Sequence, residues 1–393
     1  MPLTYTLKRH LADKYVESAT SIEFSLDGLL LATGSPSGRI SIWAVEEGQV
    51  IDSFVGRSAV TSLQWVQGFL KQKESLGTIL VGWHSGELAI IHVFLIDGYL
   101  AHYGPVDVLA FKNDPFTLAT ANRNGRIDTW LISEASGLGR LRTMVRLEPT
   151  AANARKPHRV SSLHWLDESE RLVATLVYHG IVVYDTSTTE IIQVIHVPTM
   201  IGSGSLSPDK HTMVIHNLVN GFDSYELGTG KLVNEYHHKS CEYGEGNPVI
   251  PYPSLHVHQG RAILGGTPSG LTCLWDTSDG NLITTLDNSA GTVQAMAAFY
   301  MESKDLFLIA TASSSPLSQG VPMVAQIWQT IDEIDDSQTY RLRQLSNAEF
   351  SYGAPIREEL RPPAPFRLRP LMLFSLFSLV LAICIFFTLA SPP

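Results

Sequence analysis

The chain has 393 residues, 44% of them hydrophobic and 17% charged, so a large folded body is expected rather than a disordered one. A net charge of −10, with basic residues in loops that lack interleaved aromatics, argues against a nucleic-acid partner. Three cysteines, Cys241, Cys273 and Cys384, form no paired framework, which fits a reducing compartment.

Residues 1–10 carry no apolar signal region, so secretion is not expected. The first repeat then unfolds in four phrases. Ile22-Glu23-Phe24-Ser25 alternates as a strand, Leu26-Asp27-Gly28 supplies turn chemistry, and residues 29–34 form a continuous apolar run of the kind buried on both faces. A glycine turn follows, Gly38-Arg39-Ile40-Ser41-Ile42-Trp43, and after a polar gap comes Val50-Ile51-Asp52-Ser53-Phe54. The glycine phrase recurs from Gly86 to Ile91, Gly125 to Trp130, Gly180 to Tyr184, Gly221 to Tyr225 and Gly270 to Trp275, and a looser copy ends at Trp328. The closing aromatics stand roughly 40 to 55 residues apart, the period of a four-stranded propeller blade with variable loops. Six complete units and one incomplete unit result. Tyr5-Thr6-Leu7-Lys8 lies where the missing fourth strand would come from, with Thr339-Tyr340-Arg341-Leu342-Arg343 as the competing candidate.

With these phrases the chain, over about residues 1 to 330, resembles the WD-repeat β-propeller family. The resemblance implies an all-β, seven-bladed propeller of four-stranded blades. Leu26-Asp27-Gly28, Thr33 and Trp43 match the family pattern in repeat one, and repeats three and six follow it well. Gly56-Arg57-Ser58 stands where the family's usual His precedes repeat two, and Ser37, Asn124 and Ser269 replace its turn Asp. The buried hydrogen-bond network those residues normally build is therefore expected to be incomplete.

Residues 331–368 begin acidic, with Asp332, Glu333, Asp335 and Asp336, and end Arg361-Pro362-Pro363-Ala364-Pro365, which reads as a tether. Residues 369–390 are expected to form a transmembrane helix. The run from Leu371 to Ala390 is uncharged and about 20 residues long, enough for roughly 30 Å of hydrocarbon, with Leu371, Phe374, Leu376, Phe377, Leu379, Ile383, Ile385, Phe386 and Phe387 as anchor residues. Arg357, Arg361, Arg367 and Arg369 precede the span and only residues 391–393, a short lumenal tail, follow it, so the propeller is expected to face the cytosol as a tail-anchored, single-pass protein. An apolar anchor without trailing basic residues points to the endoplasmic reticulum rather than the mitochondrial outer membrane.

Sorting loops by blade edge gives one acidic face, including Glu46, Glu47, Asp167, Glu168, Glu170, Asp276 and Asp279, and one face rich in bases. The latter carries the partner-binding candidates Arg39, Arg57, Arg123, Arg126, Arg155, Lys156, Arg159, His237, His238 and Lys239, with His102 and His158 beside them. An acidic protein segment docking there is the expected partner, steered by charge. No cofactor, metal, catalytic set or small-molecule substrate is expected. His256 and His258 fall at alternating positions read as one strand, and no nucleophile elbow or phosphate loop appears. The reading is a non-enzymatic, membrane-tethered scaffold. The order of propeller then span is also similar to that of the membrane-anchored exchange factor that starts coat assembly at the endoplasmic reticulum, which implies guanine-nucleotide exchange on a small GTPase as the alternative. That family's glycine-run, potassium-binding loop has no counterpart in residues 1–15.

Overall fold

Alternating apolar and polar residues, interrupted by glycine and Asx turns, fold the chain into seven antiparallel sheets of four strands, six of which take their strands in sequence order. The computed structural model describes residues 4–12, 18–66, 77–92, 95–133, 137–166, 170–241, 250–288, 291–314 and 323–331, all within one unit, residues 1–333. Blade 1 consists of Ser21–Phe24, Leu30–Gly34, Arg39–Ala44 and Gln49–Val55. Blades 2 to 6 occupy residues 60–100, 106–143, 160–195, 204–237 and 254–287.

Blade 7 joins Thr292–Met301, Leu306–Ser314 and Met323–Thr330 to the amino-terminal strand Tyr5–Ala12, with Tyr5 opposite Thr330 and Leu11 opposite Ala325. The N-terminal strand therefore completes the ring; residues 339–343 lie outside the described residues. Side chains close it as well, because one apolar cluster unites Leu11, Ala310 and Ala325 of blade 7 with Phe24, Leu31 and Trp43 of blade 1. Pairing the two ends in one sheet removes a free edge.

Burial follows strand position. The second strand of blade 1, Leu30–Gly34, is wholly buried, while its fourth, Gln49–Val55, is largely exposed. A strand with a blade on each face has only apolar neighbours; the outermost one meets water. Turns are fixed by local chemistry. Asp27 Oδ1 accepts from the Leu29 amide at 3.0 Å, and Gly28 at φ +70° packs where a Cβ would sit 2.3 Å from the Phe299 ring.

The recurrent aromatic explains itself in blades 1, 3 and 7. The indole N–H of Trp43 donates to Thr33 Oγ1 at 2.9 Å, Trp130 to Thr120 at 2.8 Å and Trp328 to Thr311 at 3.1 Å. Blade 3 adds His102, whose Nε2 lies 2.7 Å from Thr120 Oγ1. Before blade 7, Asn288 takes the histidine's place and accepts from the Thr311 hydroxyl at 2.5 Å. Elsewhere the network is partial, as expected: Trp275 faces Gly265 and turns its N–H to the His237 carbonyl at 3.4 Å, and blade 2 has Ile91 in the aromatic position. Trp83 packs into the gap between blades 1 and 2 instead, buried against Gly56.

One strand assignment changes. The first strand of blade 6 is Ser254–Val257, so His258 lies beyond it, opening a short turn at φ +51°. Among the described residues no helix is long and apolar enough to cross a membrane. The linker from residue 332 onward and the anchor residues 369–390 lie outside the described residues.

Candidate partner-binding face

The turns between second and third strands and the loops between blades meet at one end of the central channel. There a cavity of about 490 Å³ opens, bordered by the starts of first strands from blades 2 to 4 and by neighbouring loops. Asp107, Arg123, Arg159, Tyr178 and Met200 are the side chains that give it character.

Asp107, whose side chain is only 10% exposed, holds two guanidinium groups. Arg123 donates from Nη2 at 3.2 Å and Nε at 3.3 Å, and Arg159 Nε stands 4.0 Å away. Both arginines are about half exposed, so one carboxylate leaves a net positive charge facing water. Next to them the loop before blade 4 is pinned to the rim: Asn153 Nδ2 donates to the Tyr178 carbonyl at 3.2 Å, and Lys156 Nζ lies 5.3 Å from the Tyr178 ring centre. Apolar side chains share this end of the ring, with Val55, Leu100, Val219 and, at 87% exposure, Tyr103 open to solvent.

The ten residues proposed from sequence separate into different environments. Arg123 and Arg159 converge on the channel mouth. Arg57 is exposed and borders a separate groove of about 390 Å³ between blades 1 and 2, walled by Phe54, Trp83 and Ile91. Arg126 turns to Asp128, donating from Nε at 3.0 Å, and Arg140 approaches the same buried carboxylate at 3.5 Å. Arg39 donates to Ser53 Oγ at 3.1 Å on the blade 1 flank. Arg155 and Lys156 are exposed on the loop before blade 4, whereas His237, His238 and Lys239 sit at the end of blade 5.

His102 and His158 are not cations of this face. Both are buried. Burial lowers the His102 pKa despite the attraction of Asp128, and burial, aided by His179 and Arg146, takes His158 down to about 4. Arg146 Nε donates to His158 Nδ1 at 2.9 Å, which requires a neutral ring. Sequence reasoning missed Asp107 and Tyr178. The signal for Asp107 was its position at the start of a first strand, one residue before the repeated Val108-Leu109-Ala110-Phe111. Among the described residues, no group of three or more His, Cys, Asp or Glu side chains could hold a metal ion.

Residues 5–68 match the family described as Anaphase-promoting complex subunit 4 WD40 domain. The match runs through the closing strand, all of blade 1 and the first strand of blade 2. No curated protein matches the chain. A WD40-type domain and a seven-bladed ring agree, and propellers of this type generally serve as protein-interaction scaffolds.

Proposed function

We propose that this WD40-type propeller is a membrane-tethered platform that binds an acidic protein segment at the channel mouth. The observation that carries this reading is the Arg123 and Arg159 pair sharing a single carboxylate in a cavity that the partly exposed Met200 also lines. A partner carboxylate can complete the charge balance that Asp107 leaves unfinished, and fork-shaped guanidinium groups favour bidentate contacts to it. Apolar contacts from Met200 and the Tyr178 ring would supply area that charge alone does not.

Tethering is the second half of the proposal. The uncharged run 371–390 has the length and apolarity of a span, and the four arginines before it orient the ring toward the cytosol. Confinement to a surface raises the effective concentration toward other membrane-bound partners. The endoplasmic reticulum is the proposed membrane.

The test is an anisotropy titration of an Asp/Glu-rich peptide with the full chain in detergent. Reversing both arginines, Arg123→Glu with Arg159→Glu, should weaken binding about tenfold or more, equivalent to about 1.4 kcal/mol. Raising salt from about 0.1 M to about 1 M, where the screening length falls from about 10 Å to about 3 Å, should do the same to the wild type. Unchanged affinity in both arms contradicts the docking site. Release of the chain from membranes by alkaline carbonate contradicts the tether.

A further inference from the structure

At the opposite end of the ring, between blades 6 and 7, lies a small pocket with aromatic walls. His258, Gln259 and Gly260 run consecutively at φ +51°, +57° and +87°, a left-handed stretch that non-glycine residues seldom adopt. The bend carries the His258 ring across the blade boundary. Its centre lies 3.9 Å from that of Phe307 and 5.9 Å from that of Tyr5, and Nε2 is 2.5 Å from the Tyr5 hydroxyl. Phe307 is stacked in turn on Tyr300 at 4.3 Å. Three separate stretches, the closing strand, the blade 6 turn and the first two strands of blade 7, thus line an open pocket of about 140 Å³.

That volume is close to the roughly 150 Å³ cavity that takes one benzene molecule, so a group of about six heavy atoms fits. The charge on the turn beside Tyr300 selects among such groups. The Tyr300 hydroxyl donates to Asp305 Oδ1 at 2.8 Å, and Glu302 of the same turn acts on Tyr300 as well. Lys304, the base of that turn, lies close enough to act on Glu46 of blade 1. His258 is neutral near pH 7, because burial takes its pKa down to about 4, and Tyr5 stays protonated, so neither adds charge to the walls. Tyr300 lines the pocket with these carboxylates at its hydroxyl end, a setting that attracts cations, and a methylated ammonium fills such a space without demanding hydrogen bonds.

We propose that this pocket binds a methylated ammonium group. The site is separate from the arginine pair and does not depend on it. The test is ligand-observed saturation-transfer NMR on the full chain in a maltoside detergent, with choline as probe and 3,3-dimethyl-1-butanol, its neutral isostere, as control. Choline should bind at least fivefold tighter than the isostere, and Asp305→Asn combined with Glu302→Gln, both exposed, should halve its affinity or more while leaving the melting temperature unchanged. Tyr300→Ala should abolish the choline signal. Equal binding of choline and isostere, or no transfer to either, overturns the proposal. A trimethyllysine peptide and phosphocholine, compared in the same assay, tell a protein source from a lipid headgroup: tighter binding of one assigns the source, and binding of neither overturns the site.

Discussion

Replacing Thr120 with valine changes shape little and removes one oxygen. That oxygen is fully buried, accepts the Trp130 indole N–H at 2.8 Å and faces His102 Nε2 at 2.7 Å. With the indole donating, the threonine hydroxyl keeps its own proton free for Nε2, and in that tautomer the His102 proton sits on Nδ1, 3.6 Å from Asp128. Thr120→Val strands two buried polar groups at once. At about 1 to 3 kcal/mol for each, the loss is about 2 to 6 kcal/mol. Urea unfolding of the full chain in detergent, followed by tryptophan fluorescence, reads it as a lower midpoint at an unchanged slope. The reciprocal change sharpens the test. Val81 occupies the equivalent position in blade 2, opposite Leu63, where Ile91 stands in place of the third-strand tryptophan, so Val81→Thr buries a hydroxyl without that partner and should also destabilise. A Thr120→Val midpoint within error of wild type would refute the network's role.

Other consequences are equally direct. Leu11→Ala empties a fully buried site in the closing strand and should cost about 2 to 5 kcal/mol, seen in the same urea curves. Burial depresses His158, His164, His256 and His258 to about 4 and His216 to about 3, from an ordinary value near 6.5. The unfolded chain then binds more protons than the folded one, so this stability is complete above about pH 6.5 and is lost as pH falls toward 4, by up to about 1.4 kcal/mol per pH unit for each histidine. Thermal unfolding measured from pH 7.5 to pH 4.5 checks the sign; a melting temperature that rises on acidification contradicts it.

Most of the architecture could be read from the chain because its signals are local. A glycine that needs a left-handed turn, an alternating run and a terminal aromatic each act within a few residues, and their repetition counts the blades. Even the closing strand announced itself, since Tyr5-Thr6-Leu7-Lys8 had no repeat ahead of it to belong to. The candidate site was harder. Asp107, Arg123 and Arg159 come from two blades, and nothing in their spacing says that one carboxylate holds both bases. Charge sorting by loop also counted His102 and His158 as surface cations, although the inter-blade loops fold them into the interior. His258 was misplaced for a related reason: strand alternation continued one residue too far, because the bend that moves it is set by packing against Phe307 and Tyr5 rather than by any turn residue at that position.

Hydrogen exchange of the full chain with and without a bound Asp/Glu-rich peptide tests the docking claim most directly. Protection gathered at residues 107–108, 123–126, 159–161 and 177–178 is the predicted result. Protection confined to the other end of the ring, at residues 276–281 or 302–305, with the channel mouth unchanged, would contradict it.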